Sequence, residues 1–170
     1  MDGENDMSTQ TSQRSKFSST SPARRVLLAQ LDDIVCRLNK YVLGLQNPEL
    51  AKTGEWSAKD TLGHIAFWHE SFARNVSALA EGRQPNVLVG AYVDLNQRSV
   101  DEARRMSVAQ IAERIEIAQA EIRKCILTLP PHIQIPYRKG SRTYTPAEHL
   151  QMVQAHIAAH LRKIERKRKH

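Results

Sequence analysis

The stretch "TPAEHLQMVQAHIAAHLRKI", Thr145 to Ile164, decides how this chain folds. It opens as a helix should: Thr145 is a capping residue, Pro146 suits the first helical position, and Glu148 follows three residues after the cap. Leu150, Val153, Ile157, Leu161 and Ile164 then recur at intervals of three and four, which makes one apolar side. At roughly 100° per residue, His149, His156 and His160 fall within about 40° of one another beside that side. His156 and His160 stand one turn apart on a single face. Histidine is the commonest metal ligand, so the pair is either half of a metal site or part of an ordinary polar helix surface. The pair alone does not choose. His149 lies about two turns from His156, too far to share an ion with His160, and reads as a polar residue near the end of a bundle.

Working outward, three more helical segments come into view. The first begins at Ser21-Pro22, a cap followed by a first-turn proline. It carries Leu27, Leu28, Leu31, Ile34, Val35, Leu38 and Val42 on one stripe and stops by Asn47-Pro48. The second opens at "SAKD", with Ser57 as cap and Asp60 in the first turn. Its stripe is Leu62, Ile65, Phe72, Val76 and Leu79, and Gly82 ends it. The third opens at "SVAQ", where Ser107 and Gln110 form a capping box. It runs through Ile111, Ile115, Ala118, Ile122, Cys125 and Leu129 to Pro130-Pro131. The fold class expected is all-α, a four-helix bundle.

Connection lengths bear on the order of the helices. Gly82 to Met106 spans about 24 residues, long enough to run the length of a bundle, so the second and third helices are expected to be parallel, in an up-down-down-up arrangement. The piece "YVDLNQRSVDEARR" inside that crossover should add a short extra helix. Between Pro130 and Thr145, extended pieces at Ile133–Tyr137 and Arg142–Tyr144 flank a turn at Lys139-Gly140-Ser141, which predicts a small hairpin. Residues 1–20 are polar and rich in Ser, Thr and Gln, the composition of a disordered tail; Met7 is a second potential start. Residues 21–170 are expected to form one domain.

Composition narrows the functional classes. The 170 residues carry a formal charge of +7, concentrated in "RKIERKRKH", Arg162 to His170. Such a run suits a solvated helix C-terminus, with nucleic acid or an anionic membrane surface as the alternative. No aromatic residues interleave with the charges, so stacking platforms for single strands are lacking. Cys36 and Cys125 are at helical core spacing with no CxxC motif, and read as buried reduced thiols of a cytoplasmic protein. The N-terminus lacks the apolar core of a secretory signal, and no apolar run reaches transmembrane length.

The second helix holds two histidines, in "GHIAFWHE". Periodicity favours His69, which falls inside the stripe; His64 lies on its flank, near Trp68 and Asn75. A lone histidine on an apolar face is more often a hydrogen-bonded core residue than a ligand. Spacing therefore leaves open both the metal and the choice of its third ligand.

The segment "EWSAKDTLGHIAFWHE", followed some ninety residues later by "TPAEHLQMVQAHIAAHLRKI", resembles the DinB-like (DinB/YfiT) family of four-helix bundles and, more narrowly, its ClbS/DfsB branch. The likeness rests on Trp56, Ser57, Lys59-Asp60 and His64-Ile65. It rests also on His156, His160 and Ile164, and on Asp94 and Asn96 in "VDLNQ", and spans about residues 22 to 166. It implies a divalent metal held by His64, His156 and His160, against the periodicity preference for His69. Three imidazoles leave coordination positions open, the catalytic rather than the structural pattern, and suit zinc or nickel, and also iron. The resemblance further implies attack by an activated water or low-molecular-weight thiol on a small electrophilic substrate, as a hydrolase or thiol transferase. Trp68 and Tyr92 are candidate pocket walls, with plain packing as the alternative. Asp94 and Asn96 are candidates to support the site, with helix capping as the alternative. No proton-transfer residue is assignable; Glu70 is not placed beside His64. Two other readings stand beside the enzyme: a non-enzymatic, stress-associated bundle forming a homodimer, and a basic nucleic-acid-binding module, which the missing helix-turn-helix signal disfavours.

Overall fold

The computed structural model describes residues 21–167. The expectations for residues 1–20, Met7 included, and for the last three residues of the basic tail lie outside them. Within them, α1 (Pro22–Leu43) leads to a two-stranded hairpin, β1 (Lys52–Thr53) and β2 (Trp56–Ser57). Then come α2 (Ala58–Ala80), α3 (Tyr92–Arg104), α4 (Val108–Cys125) and α5 (Pro146–Lys167). The fold is all-α apart from that hairpin, which the sequence reading did not include; it turns at Gly54, whose φ of 89° favours glycine. The extra helix expected in the crossover is α3.

Local sequence sets the helix starts. Ser57 and Asp60 cap α2 reciprocally, as do Ser107 and Gln110 in α4. At α5, the Thr145 N–H donates to Glu148 Oε2 at 2.8 Å, and the Glu148 N–H donates back to Thr145 Oγ1 at 3.3 Å. Ser21 precedes α1 without a side-chain cap bond; there Pro22 and the Ser21 carbonyl do the work. Gly82, at φ 69°, terminates α2.

Side-chain pairs give the directions of the helices. Arg24, at the start of α1, donates to the Ile126 and Leu129 carbonyls just after α4, while Asn39 near its end donates to Ala112 at the start of α4. These two helices therefore run in opposite directions. Glu70 meets Arg114 and Ser77 meets Glu121, so α2 and α4 run the same way. His64 meets His156 and Phe72 meets His149, so α5 opposes α2. The core between them is the apolar stripes, including Leu31, Leu38, Leu62, Ile115, Ile157 and Leu161. α3 lies tight on α2: a Cβ on Gly63 would stand 2.0 Å from the Ala103 Cβ, so only glycine permits this approach.

Two expectations are corrected. Cys36 is exposed, while Cys125 is buried. Val35 and Leu38 face the core, and the roughly 100° step from Val35 turns Cys36 outward. His149 does lie near the end of the bundle, in the first turn of α5, but it is fully buried there. The segment after α4 closes over it: Ile135 and Tyr144 pair antiparallel across a turn at Gly140, φ 77°, and Tyr144 and Tyr137 pack against the His149 ring.

Candidate metal centre

Three imidazoles meet where α2 and α5 cross. His64 comes from α2 and is buried; His156 and His160 come from α5 and are half-buried. Their ring centroids lie 5.4 Å (His64–His156), 5.2 Å (His64–His160) and 4.5 Å (His156–His160) apart. One nitrogen from each ring lies within 4.8 Å of the other two, which places the three to hold a metal ion. His64 Nε2 and His156 Nε2 are 3.2 Å apart. Ligand nitrogens of a tetrahedral zinc with bonds of about 2.0–2.1 Å stand about 3.3 Å apart, so that pair already has ligand spacing.

The electrostatics suit ligation. Burial, followed by the neighbouring His160 and His156, pushes the His64 pKa down to about 3. Burial, followed by His156 and Lys163, pushes His160 down to about 4. Burial and then Lys163 lower His156 as well. All three rings are therefore neutral at pH 7, the form whose lone pair binds a cation. His64 Nδ1 is buried without a hydrogen-bond partner. Its ring is instead held between the indoles of Trp56, at 4.9 Å, and Trp68, at 6.5 Å.

The candidate pocket residues separate. Trp68 is buried beside His64, and its Nε1–H donates to Asn96 Oδ1 at 3.0 Å, tying α2 to α3. The Trp68 ring stacks on Tyr137 at 4.8 Å and 20°, with Tyr92 tilted at 5.8 Å and exposed. Asp94 lies in the first turn of α3 on an outward groove with Arg98 and Glu102, which includes none of the three histidines. Glu70 is held by Arg114 through two contacts of 2.6 Å. Together with Arg74 and Ile117 it lines a groove of about 540 Å³ on the α2–α4 side, which also includes none of them.

Sequence reasoning used Trp56 for the family likeness without placing it at the site, and missed Tyr137. Tyr137 belongs to an irregular connection with no periodicity to read; burial, reinforced by Tyr92 and Tyr144, raises its pKa and keeps it neutral. A cavity of about 20 Å³ lies against His156, lined also by Trp68, His69, Tyr137 and Met152 among others. His69, the ligand favoured by periodicity, is buried and its Nε2 faces Gln119 Oε1 at 2.8 Å.

A helical bundle with a three-histidine cluster between α2 and α5 defines a class, and comparison gives its name. The family model described as the DinB superfamily matches residues 30–164. The chain belongs to the DinB superfamily. No curated protein and no solved structure matches it. No helix among the described residues is long and apolar enough to cross a membrane.

Proposed function

We propose that this protein is a metal-dependent enzyme of the ClbS/DfsB branch, acting on a small electrophilic substrate as a hydrolase or thiol transferase. The observation that carries the reading is the meeting of three neutral imidazoles from two helices, with ligand atoms within 4.8 Å of one another. His64, His156 and His160 would hold the metal; an all-imidazole donor set suits zinc or nickel, with iron also compatible. When bound, the ion supplies Lewis acidity, polarising a substrate oxygen or acidifying a water or thiol nucleophile. The chain's own contribution is to keep the three rings neutral by burial and to wall the site with Trp56, Trp68 and Tyr137. The helix directions support the up-down-down-up bundle expected for residues 21–170 as one domain.

Elemental analysis of the purified full chain tests the reading. About one equivalent of a transition metal is expected in the wild type, falling to near zero in His64→Ala and sharply in His156→Ala and His160→Ala. A metal-free wild type that takes up no zinc or nickel from solution would overturn it. The second reading, a non-enzymatic bundle forming a homodimer, draws on the cavity's size, about 20 Å³. It predicts that metal-free protein retains its full assembly.

A further inference from the structure

A polar chain runs from α1 and α4 to His69 on α2 and is unused by the chemistry above. Arg123 on α4 donates through Nη2 to Asp32 Oδ1 on α1 at 2.8 Å. Gln119 Nε2 donates to the same carboxylate oxygen at 2.5 Å. A carboxylate only accepts, so the Gln119 amide nitrogen faces Asp32 and its oxygen is turned the other way. That oxygen lies 2.8 Å from His69 Nε2. An amide oxygen also only accepts, so His69 Nε2 carries a hydrogen.

The consequence falls on the other ring nitrogen. Burial lowers the His69 pKa to about 4 although the Gln119 bond works against it, so the ring is neutral at pH 7. A neutral imidazole carries a single N–H, so His69 Nδ1 is a bare acceptor. It is buried and has no hydrogen-bond partner in the protein, a state that costs stability unless something donates to it. The two ring nitrogens point in widely different directions, so Nδ1 faces away from Gln119 and α4. His69 lines the cavity of about 20 Å³ that also touches Trp68, Tyr137 and His156. A space of that size takes about one water or one terminal functional group.

We propose that His69 Nδ1 accepts the hydrogen of a protic group, an O–H or S–H, at the end of a small molecule lodged in the cavity beside His156. Gln119, Asp32 and Arg123 are positioning residues that lock its tautomer. This deepens the metal-enzyme reading and rests on it for the arrival of a small molecule. It names the class of ligand: alcohols or thiols, and not their aprotic counterparts.

Long-range proton–nitrogen NMR of the full chain, ¹⁵N-labelled at histidine and measured at pH 7, tests the proposal. The expected wild-type spectrum shows His69 as the Nε2–H tautomer. Ethanol and ethanethiol, added separately, should move its Nδ1 resonance toward the protonated range, while dimethyl sulfide leaves it in place. The probe giving the larger shift distinguishes alcohol from thiol. Gln119→Leu should populate the second tautomer; Asp32→Ala, at a partly exposed position, should do so if the buried substitution fails to fold. An Nδ1–H tautomer in the wild type overturns the proposal, as does an Nδ1 resonance that no protic probe moves or that dimethyl sulfide moves equally. Metal content is read separately, so a metal-free wild type that takes up no zinc or nickel, yet whose Nδ1 still answers protic probes, overturns the metal reading alone.

Discussion

Two groups of histidines occupy the same pair of helices about one to two turns apart, and they live under different physics. His64, His156 and His160 turn nitrogens toward one another, with the two α5 rings reaching partial exposure. His69 and His149 are 2% and 0% exposed and turn toward the core. His69 is satisfied on one nitrogen by Gln119; His149 has both nitrogens buried without a partner and lies flat on Phe72, ring centroids 3.9 Å apart at 18°. The first group has its lone pairs converging on one place, which is what ligation requires. In the second, His149 behaves as a slab of ring packed among aromatics. Histidine on a buried face is thus no evidence of a metal; convergence of nitrogens is.

The contrast breaks most forcefully at His149. Truncation by His149→Ala removes a fully buried ring from between Phe72, Tyr144 and Tyr137 and leaves a cavity, at a cost of about 3 kcal/mol in urea unfolding. His149→Phe keeps the slab and removes two unpaired polar atoms, and should be neutral or stabilising. If Phe proves as costly as Ala, the His149 nitrogens are making bonds, and the division between the two groups fails.

Acid sharpens the same contrast. Burial depresses His69 to about 4 and His149 to about 3, from 6.5. Between 6.5 and those values the unfolded chain binds protons that the folded chain does not, so stability is complete above pH 6.5 and falls as pH drops toward 4. Each such histidine contributes up to about 1.4 kcal/mol per pH unit in that window. His149→Phe should therefore lose about 2 kcal/mol less than the wild type between pH 6.5 and pH 5, read by urea titration at both. Parallel losses in the two proteins would mean that His149 is protonated in the fold.

How much of this was legible in the sequence follows from the range of the forces involved. The caps at Ser57, Ser107 and Thr145 are local, and the reading found them. The extra helix in the crossover is likewise local and was found. Periodicity singled out His69 because it measures the angle to the core, and His69 is indeed a core residue. The same measure passes over His64, which lies where the core side meets the flank. The resemblance to DinB-like chains pointed to it instead, through Trp56, Ser57 and the Lys59-Asp60 pair. The burial of His149 was illegible because its cover, Tyr137 and Tyr144, arrives from an irregular hairpin whose docking is a tertiary event. Cys36 was misread by a single position, the difference between the two sides of α1.

The smallest expected effect comes at Trp68, which stands between the two groups: it is edge-on to His64 at 6.5 Å and lines the cavity together with His69. Trp68→Phe keeps an aromatic ring on Tyr137 and removes the Nε1–H that bonds Asn96. Asn96 is only partly buried, so water replaces the lost donor and the cost in urea unfolding is about 1 kcal/mol. Metal content should be unchanged, because the ligand nitrogens come from α2 and α5 while the lost bond anchors α3. If metal falls to the level of His64→Ala, the indole is orienting the His64 ring, whose Nδ1 has no hydrogen bond to do so. The orienting role that usually belongs to a polar partner of the far ring nitrogen would then fall here to an aromatic wall.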